Sequence, residues 1–87
     1  PTLVIEILSP TTADYDRGAK FDHLRTIPTL DEMLFVSVDE RIVEQRRRLP
    51  SGEWVSRWYD AGAIDLASVG VALTIEETFA KLELVSS

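Results

Sequence analysis

Two short apolar segments stand out in the first half of the chain. Leu3 to Leu8 is rich in β-branched residues and contains one charged residue, Glu6, while Met33 to Val38 is apolar with almost no alternation. Such segments are typical of β-strands covered on both faces. Both are therefore predicted to be strands, and Glu6 is predicted to be a buried acid in the first of them.

The polar segment between these strands has the pattern of a helix. Ser9-Pro10 ends the first strand because proline has no amide hydrogen for the ladder. Thr11 or Thr12 can cap the helix, and Pro28 ends it, so the helix is predicted to run to about Ile27. Two buried strands separated by one helix predict a parallel pair joined by a right-handed crossover.

The second half of the chain changes pattern. Arg41 to Leu49 and Glu53 to Tyr59 are strand-like and joined by a Pro-Ser-Gly turn, which predicts an antiparallel hairpin that extends the sheet. Ile64 to Val69 is predicted to be a short strand or extended piece. Thr74 is placed to cap a final helix over Ile75 to Leu82. The predicted fold class is α/β: a βαβ crossover plus an antiparallel hairpin in a mixed sheet, with a C-terminal helix.

Composition limits the classes of function. The chain has 87 residues, which is one small domain, and no apolar run approaches the roughly 18 residues of a membrane span. It has no cysteine, which excludes disulfides and thiolate metal sites and fits a reducing cytoplasm. The net charge of −6 argues against non-specific binding to nucleic acid. Any contact with DNA must therefore be local.

The chain enters an apolar strand directly after Pro1 and Thr2. A strand in the middle of a sheet needs partners on both sides, and here only later segments can supply them. We therefore expect coding sequence upstream of Pro1. Residues 1–87 are expected to be a single domain that forms the C-terminal half of a larger one.

Glu6 is the strongest candidate for chemistry. An ionised carboxylate in an apolar strand costs several kcal/mol unless it is paired or binds a cation. Lys20 lies roughly 12 Å along the helix, and Glu6 roughly 7 Å before the strand end, so the two groups are expected at similar depth. Asp16 precedes Lys20 by one helical turn, a spacing at which side chains touch.

These three residues admit two interpretations. Carboxylates that hold a divalent cation, with a lysine that orients water or stabilises negative charge, suit metal-dependent phosphodiester hydrolysis. Alternatively, Glu6 forms an internal ion pair with Lys20, or simply reaches the end of the sheet. The residues by themselves leave both interpretations open.

The order of these residues resembles a known family. Glu6 is followed by Ser9-Pro10-Thr11-Thr12 and then by Asp16-Arg17-Gly18-Ala19-Lys20-Phe21. An acid in an apolar strand, then Ser-Pro, then Asp and Lys on the next helix resembles the Uma2 (DUF820) family of restriction-type endonucleases, within the PD-(D/E)XK nuclease superfamily. The likeness continues to Ser68-Val69-Gly70-Val71-Ala72-Leu73 and so covers nearly the whole chain.

The resemblance implies a partial restriction-endonuclease-like fold that cleaves DNA with Mg²⁺ or Mn²⁺. It implies that Glu6 is a metal-binding acid, that the Ile7 carbonyl is a further ligand, and that Lys20 is the catalytic lysine. Leu8 occupies the strand position where related nucleases carry that lysine. The family's first metal-binding aspartate lies on an upstream strand that this chain does not contain. The domain is therefore expected to be incomplete and inactive alone.

A different class of function is also open. The chain would then be a non-catalytic nuclease remnant that acts as an interaction module. An unpaired strand exposes backbone N–H and C=O groups that can pair with another chain. A homo-oligomer formed through the exposed sheet edge is therefore expected in that case.

Three further groups of residues have both a functional and a structural interpretation. Five arginines of the hairpin region either contact phosphates or protect an edge strand from unwanted pairing: Arg41, Arg46, Arg47, Arg48 and Arg57. Trp54, Trp58 and Tyr59 could stack on bases; alternatively, Trp54 and Trp58 share one strand face and pack the hairpin onto the sheet. His23 is either a general base or a surface residue.

Overall fold

A computed structural model describes the backbone of residues 2–8 and 13–86 and the side chains of residues 2–8 and 17–81. The elements in chain order are β1 (Leu3–Leu8), α1 (Ala13–Leu24), β2 (Glu32–Ser37), β3 (Ile42–Arg48), β4 (Trp54–Tyr59), β5 (Ala63–Leu66), β6 (Val71–Thr74) and α2 (Ile75–Ser86). The predicted strand end at Ser9-Pro10 and the predicted caps Thr11 and Thr12 lie outside these residues. No helix in the described part of the chain has the length and apolarity that crossing a bilayer requires.

The first four strands form one mixed sheet in the order β1-β2-β3-β4. β1 and β2 are parallel, as the crossover predicts, and β2-β3 and β3-β4 are antiparallel. The α/β class, the βαβ unit and the hairpin are therefore confirmed. The arrangement is compatible with a restriction-endonuclease-like fold.

The segment after the hairpin forms a second sheet that the sequence pattern did not reveal. β5 and β6 pair antiparallel, whereas a single extended piece over Ile64 to Val69 was predicted. The strand ends at Leu66 because its carbonyl accepts hydrogen bonds from the amides of Val69 and Gly70, which reverses the chain. Gly70 has a φ of +72°, a left-handed conformation that glycine adopts without a steric penalty.

Two hydrophobic clusters cover the two faces of the sheet, and β2 is buried throughout. The α1 side is built on the buried residues Leu8, Leu24, Leu30, Met33 and Phe35. The opposite side is built on Leu34, Val36, Val43, Ile64, Leu66, Ile75 and Phe79, so that α2 and the β5-β6 sheet provide its cover. Each covering element thus contributes its own apolar side chains to a separate core.

β1 differs from the prediction that it is covered on both faces. Leu8 is buried on the α1 side, but Ile5 and Ile7 on the other side are 51% and 54% exposed. The reason is position: β1 is an edge strand that pairs only with β2 in the described part of the chain. The second hydrophobic cluster reaches β1 only at Leu3.

Both helices differ from their predicted ends. α1 stops at Leu24 rather than near Ile27, because the amide of Ile27 turns back to the carbonyl of Leu24 before Pro28 is reached. α2 runs on to Ser86, past the predicted end at Leu82. Helix ends fray and are the least sharply encoded part of a helix.

The predicted cap of α2 is confirmed. The amide of Glu77 donates to Oγ1 of Thr74 at 3.1 Å, and that hydroxyl donates to Oε1 of Glu77 at 2.8 Å. The reciprocal contact satisfies one of the amides that a helix start leaves without an intrahelical partner.

Replacing the cap tests its contribution. We expect Thr74→Ala to lower the free energy of unfolding by about 1 kcal/mol, because an amide of the first turn loses its acceptor. Thr74→Ser keeps the hydroxyl and should stay close to the wild type. Urea denaturation followed by circular dichroism measures both; equal losses in the two variants would contradict a capping role.

Candidate functional site

The predicted acid and lysine meet on the α1 side of the sheet. Lys20 Nζ lies 3.6 Å from Glu6 Oε2, so the helix and strand do bring the two groups to similar depth. This contact is the internal Glu6–Lys20 ion pair, one of the two interpretations that the sequence leaves open. The chemical roles of the two residues stay predictions.

Glu6 is less buried than predicted. Its side chain is 27% exposed, and that of Lys20 is 51% exposed. The cause is the edge position of β1, which leaves the strand open to solvent along one side. An ion pair at such a site adds little to stability, and an accessible carboxylate can still receive a ligand.

The other two predicted site residues are Ile7 and Asp16. Ile7 follows Glu6 in β1, and its side chain points to the opposite face, where it is exposed. Asp16 belongs to the backbone of α1, one turn before Lys20, but its side chain lies outside the described residues. The ligand role of Ile7 and the catalytic role of Asp16 both stay predictions.

Glu6 fits a divalent cation only as part of a larger ligand set. Within residues 2–8 and 17–81, no three His, Cys, Asp or Glu residues lie close enough together to hold a metal ion. Mg²⁺ commonly takes one or two carboxylates and keeps several waters. Glu6 supplies one accessible carboxylate of that kind, with the Lys20 ammonium already beside it, so a cation would be held weakly here.

A second acid, Glu44, lies in line with Glu6 across the sheet. The strand register places Glu6 opposite Phe35, Phe35 opposite Glu44, and Glu44 opposite Trp58. Residues directly opposite in neighbouring strands share a face, so all four face α1. Unlike Glu6, Glu44 is buried, with 2% of its surface exposed.

Two arginines surround the Glu44 carboxylate. Arg17 Nε of α1 lies 3.0 Å from Oε1, and Arg46 Nε donates to Oε2 at 3.0 Å. The Arg46 guanidinium also stacks over the rings of Phe21 and Phe35 at 4.4 and 5.1 Å. Glu44 therefore has the charged partners that a buried carboxylate requires.

One turn of α1 thus contacts two acids of the sheet. Arg17 and Lys20 are three residues apart, a spacing that places two side chains on one side of a helix. Arg17 contacts Glu44 of β3, and Lys20 contacts Glu6 of β1. The buried Arg17–Glu44 pair fixes the helix where Lys20 lies beside Glu6.

Sequence reasoning missed Glu44 as a site residue. The available signal was its position two residues before Arg46 in a strand, since residues at that spacing share a face and can pair. Its partner Arg17 comes from a different element, and only the packing of α1 shows that the two meet.

The hairpin arginines do not form one phosphate-binding patch. Arg46 and Arg48 face α1, and Arg48 donates to the carbonyls of Arg25 and Ile27 at 3.0 and 3.1 Å. Arg47 faces the other side and donates to the carbonyl of Asp65 at 3.1 Å. Their partners within the chain support a structural role for these three residues. The expected protection of an edge strand is wrong for them, because β3 lies between β2 and β4.

The two tryptophans have different roles. Trp54 packs edge-on against Phe21, with ring centroids 5.6 Å apart, which confirms the packing interpretation for that residue. For Trp58 the packing interpretation is wrong, because 57% of its surface is exposed. His23 is exposed as well, and its described contact is its carbonyl, which accepts from Thr26.

The opposite face of the sheet holds its own buried acid, Glu32. Its Oε1 accepts from the amide of Ser68 at 2.7 Å, its Oε2 accepts from Gln45 Nε2 at 2.7 Å, and Arg47 Nε lies 3.7 Å from Oε2. Burial alone would raise the pKa of Glu32, but the hydrogen bonds from Ser68 and Gln45 and the charge of Arg47 outweigh it and hold the pKa below the usual 4.5.

Comparison with known proteins gives one family and two relatives. The Uma2 family, described as "Putative restriction endonuclease", matches residues 1–84. The "Uncharacterized protein slr1290" of Synechocystis sp. strain PCC 6803 is 34% identical over 77 residues, which are 87% of this chain and 40% of that protein. The "Uncharacterized protein sll1609" of the same organism is 34% identical over 55 residues, 63% of this chain and 31% of that protein. The chain thus spans less than half the length of either relative.

Removing the Glu44 carboxylate tests the charge cluster. We expect Glu44→Ala to cost about 3–5 kcal/mol of unfolding free energy, because two arginines lose their buried anion. The matched control is Asp22→Ala, which removes an exposed ion pair with Arg25 and should have little effect. Urea denaturation measures both variants; equal effects would contradict the cluster.

The lowered pKa of Glu32 predicts how the stability of the fold changes at low pH. A carboxyl with a lowered folded-state pKa stabilises the fold above its unfolded-state pKa, and this contribution is lost as the pH falls through the folded-state pKa. The stability advantage of the wild type over Glu32→Gln should therefore shrink as the pH falls from about 7 to about 3. Unfolding free energies at both pH values measure it; an advantage that stays constant would contradict the shift.

Proposed function

Because this chain belongs to the Uma2 family, whose description is that of a restriction endonuclease, we propose that it carries the Glu6–Lys20 part of a metal-dependent site that hydrolyses DNA phosphodiester bonds. The observation that supports the proposal most directly is the 3.6 Å contact between Lys20 Nζ and Glu6 Oε2. It pairs an accessible carboxylate with a cation at the edge of a sheet.

Each residue has a defined role in this proposal. Glu6 and the Ile7 carbonyl would hold Mg²⁺ or Mn²⁺, and the metal would supply polarisation of the phosphate and activation of water. The Lys20 ammonium has three donors, and the Glu6 contact leaves others for a phosphate oxygen or the attacking water. The positive charge of Lys20 stabilises the negative charge that develops in the transition state. Asp16, one turn earlier in α1, is a further acid for this site.

The open edge of β1 is where we propose that the site is completed. A strand paired there would lie about 4.8 Å away, so its side chains would stand beside Glu6. A second carboxylate from such a strand would convert a weak cation site into a stronger one. Residues 1–87 are therefore proposed to be the C-terminal part of a larger nuclease domain, inactive alone. A chain without cysteine suits the cytoplasm, where we place it.

The same edge supports a second candidate function. Ile5 and Ile7 are more than half exposed on a strand with one charged residue, and natural edge strands usually carry features that prevent pairing. In this alternative the chain is a non-catalytic remnant that forms homo-oligomers through β1. This alternative would be favoured if light scattering detects a dimer whose melting temperature does not change when divalent metal is added.

Metal-dependent stabilisation tests the nuclease proposal. We expect Mn²⁺ to raise the melting temperature of the wild-type chain by a few degrees, because a ligand that binds only the folded state stabilises it. Glu6→Gln should abolish the rise, whereas Glu53→Gln, a matched change in the hairpin turn, should keep it. A rise of the same size in Glu6→Gln would contradict the metal-binding role.

Cleavage assays test the proposed incompleteness. The purified chain should leave supercoiled plasmid intact in Mg²⁺ or Mn²⁺, because the site holds the cation weakly without a carboxylate from a further strand. Nicking by this chain that disappears in Glu6→Ala would show that residues 1–87 suffice, and would contradict that part of the proposal.

A further inference from the structure

Trp58 is an exposed aromatic side chain on the face of the sheet that carries Glu6 and Lys20. We propose that Trp58, held in place by Arg17, is a stacking surface for an unpaired base, so that the DNA bound at this site is single-stranded or locally melted. The proposal rests on the proposed function, since it names the class of DNA that the Glu6–Lys20 site would meet.

The environment of Trp58 is unlike that of a packing residue. Of the Trp58 surface, 57% is exposed, although α1 covers the same face of the sheet nearby. Trp58 lines an open cleft of about 340 Å³ with Ile42, Tyr59 and Asp60. A large aromatic ring left accessible beside a cleft is a common feature of binding surfaces.

Arg17 gives the ring a fixed position. Its guanidinium lies 5.0 Å from the centre of the Trp58 ring, within the range of a cation–π contact. The same guanidinium is paired with the buried Glu44, and its side chain is only 18% exposed. The indole is therefore held by a side chain that is itself anchored, which lowers the entropy lost when a base stacks on it.

The strand register relates Trp58 to the proposed site of cleavage. Trp58, Glu44, Phe35 and Glu6 are opposite one another on four consecutive strands. Three strand steps of about 4.8 Å place the Trp58 backbone roughly 14 Å from that of Glu6. A stacked DNA strand rises about 3.4 Å per nucleotide, so a base at Trp58 would lie about four nucleotides from a phosphate at Lys20.

Charge favours a base over a phosphate in this cleft. The Asp60 carboxylate lines it, and Arg17 is already paired with Glu44, a carboxylate that it shares with Arg46. The net charge of −6 argues against non-specific binding to duplex DNA. Stacking on an aromatic ring needs no positive charge, but it needs the flat face of a base, which a duplex hides.

DNA binding without cleavage tests the proposal. A fluorescein-labelled single strand and a hairpin duplex of equal length are titrated with protein in EDTA, and anisotropy is measured. We expect the wild type to prefer the single strand and Trp58→Leu to bind it about tenfold more weakly. Trp54→Phe is the matched control and should bind like the wild type, because Phe still packs against Phe21.

Fluorescence locates the contact. The chain has two tryptophans, so Trp54→Phe leaves Trp58 as the only tryptophan, and the single strand should quench its emission. In Trp58→Leu the remaining Trp54 emission should hardly change. A melting curve close to that of the wild type shows that Trp58→Leu is folded.

The proposal is overturned if Trp58→Leu binds the single strand like the wild type or if the duplex is preferred. It is also overturned if neither DNA binds. A different result would contradict the proposed nuclease function without contradicting the stacking proposal. In that case Glu6→Gln leaves metal-dependent stabilisation unchanged, while single-strand binding through Trp58 persists.

Discussion

The buried carboxylate of Glu44, held between the guanidinium groups of Arg17 and Arg46, is the interaction on which the arrangement of the α1 face depends. Phe21 and Leu24 dock the second half of α1 through apolar contact, but Arg17 in its earlier part is joined to the sheet by charge. Because Lys20 is one turn from Arg17, the same contact positions the ammonium group over Glu6. It also orients the ring of Trp58. The contact of Lys20 with Glu6 and the orientation of Trp58 therefore both depend on one pair.

The other face of the sheet uses the same principle with different partners. Glu32 is buried and accepts hydrogen bonds from the amide of Ser68, in the connection between β5 and β6, and from Gln45 of β3. Gln45 in turn donates to the carbonyl of Asp65 in β5. Among the residues whose side chains are described, each face thus has one buried acid that joins the segment covering it to the sheet. Buried polar groups of this kind are favourable only when fully paired, and they then restrict how the covering element can sit.

Much of the fold could be predicted from the sequence, because apolar strands and proline, glycine and threonine positions encode it locally. The Glu6–Lys20 contact could also be predicted, since it follows from the rise of a helix and a strand. The buried acids could not, because Arg17 and Ser68 reach them from elements distant in sequence. Likewise, the exposure of Trp58 and the open face of β1 depend on where the covering elements stop. Alternation along a strand indicates which residues share a face, but not whether that face is covered.

The central claim is that the Arg17–Glu44 pair holds Lys20 in contact with Glu6, and zero-length cross-linking tests it most directly. A carbodiimide joins a carboxylate to an amine in contact with it, with loss of one water, and the chain has two lysines, Lys20 and Lys81. Mass spectrometry of the digested protein should identify a Glu6–Lys20 cross-link in the wild type, with a much lower yield in Arg17→Met. A wild-type chain in which Lys20 is linked to other acids, or an unchanged yield in Arg17→Met, would contradict the account.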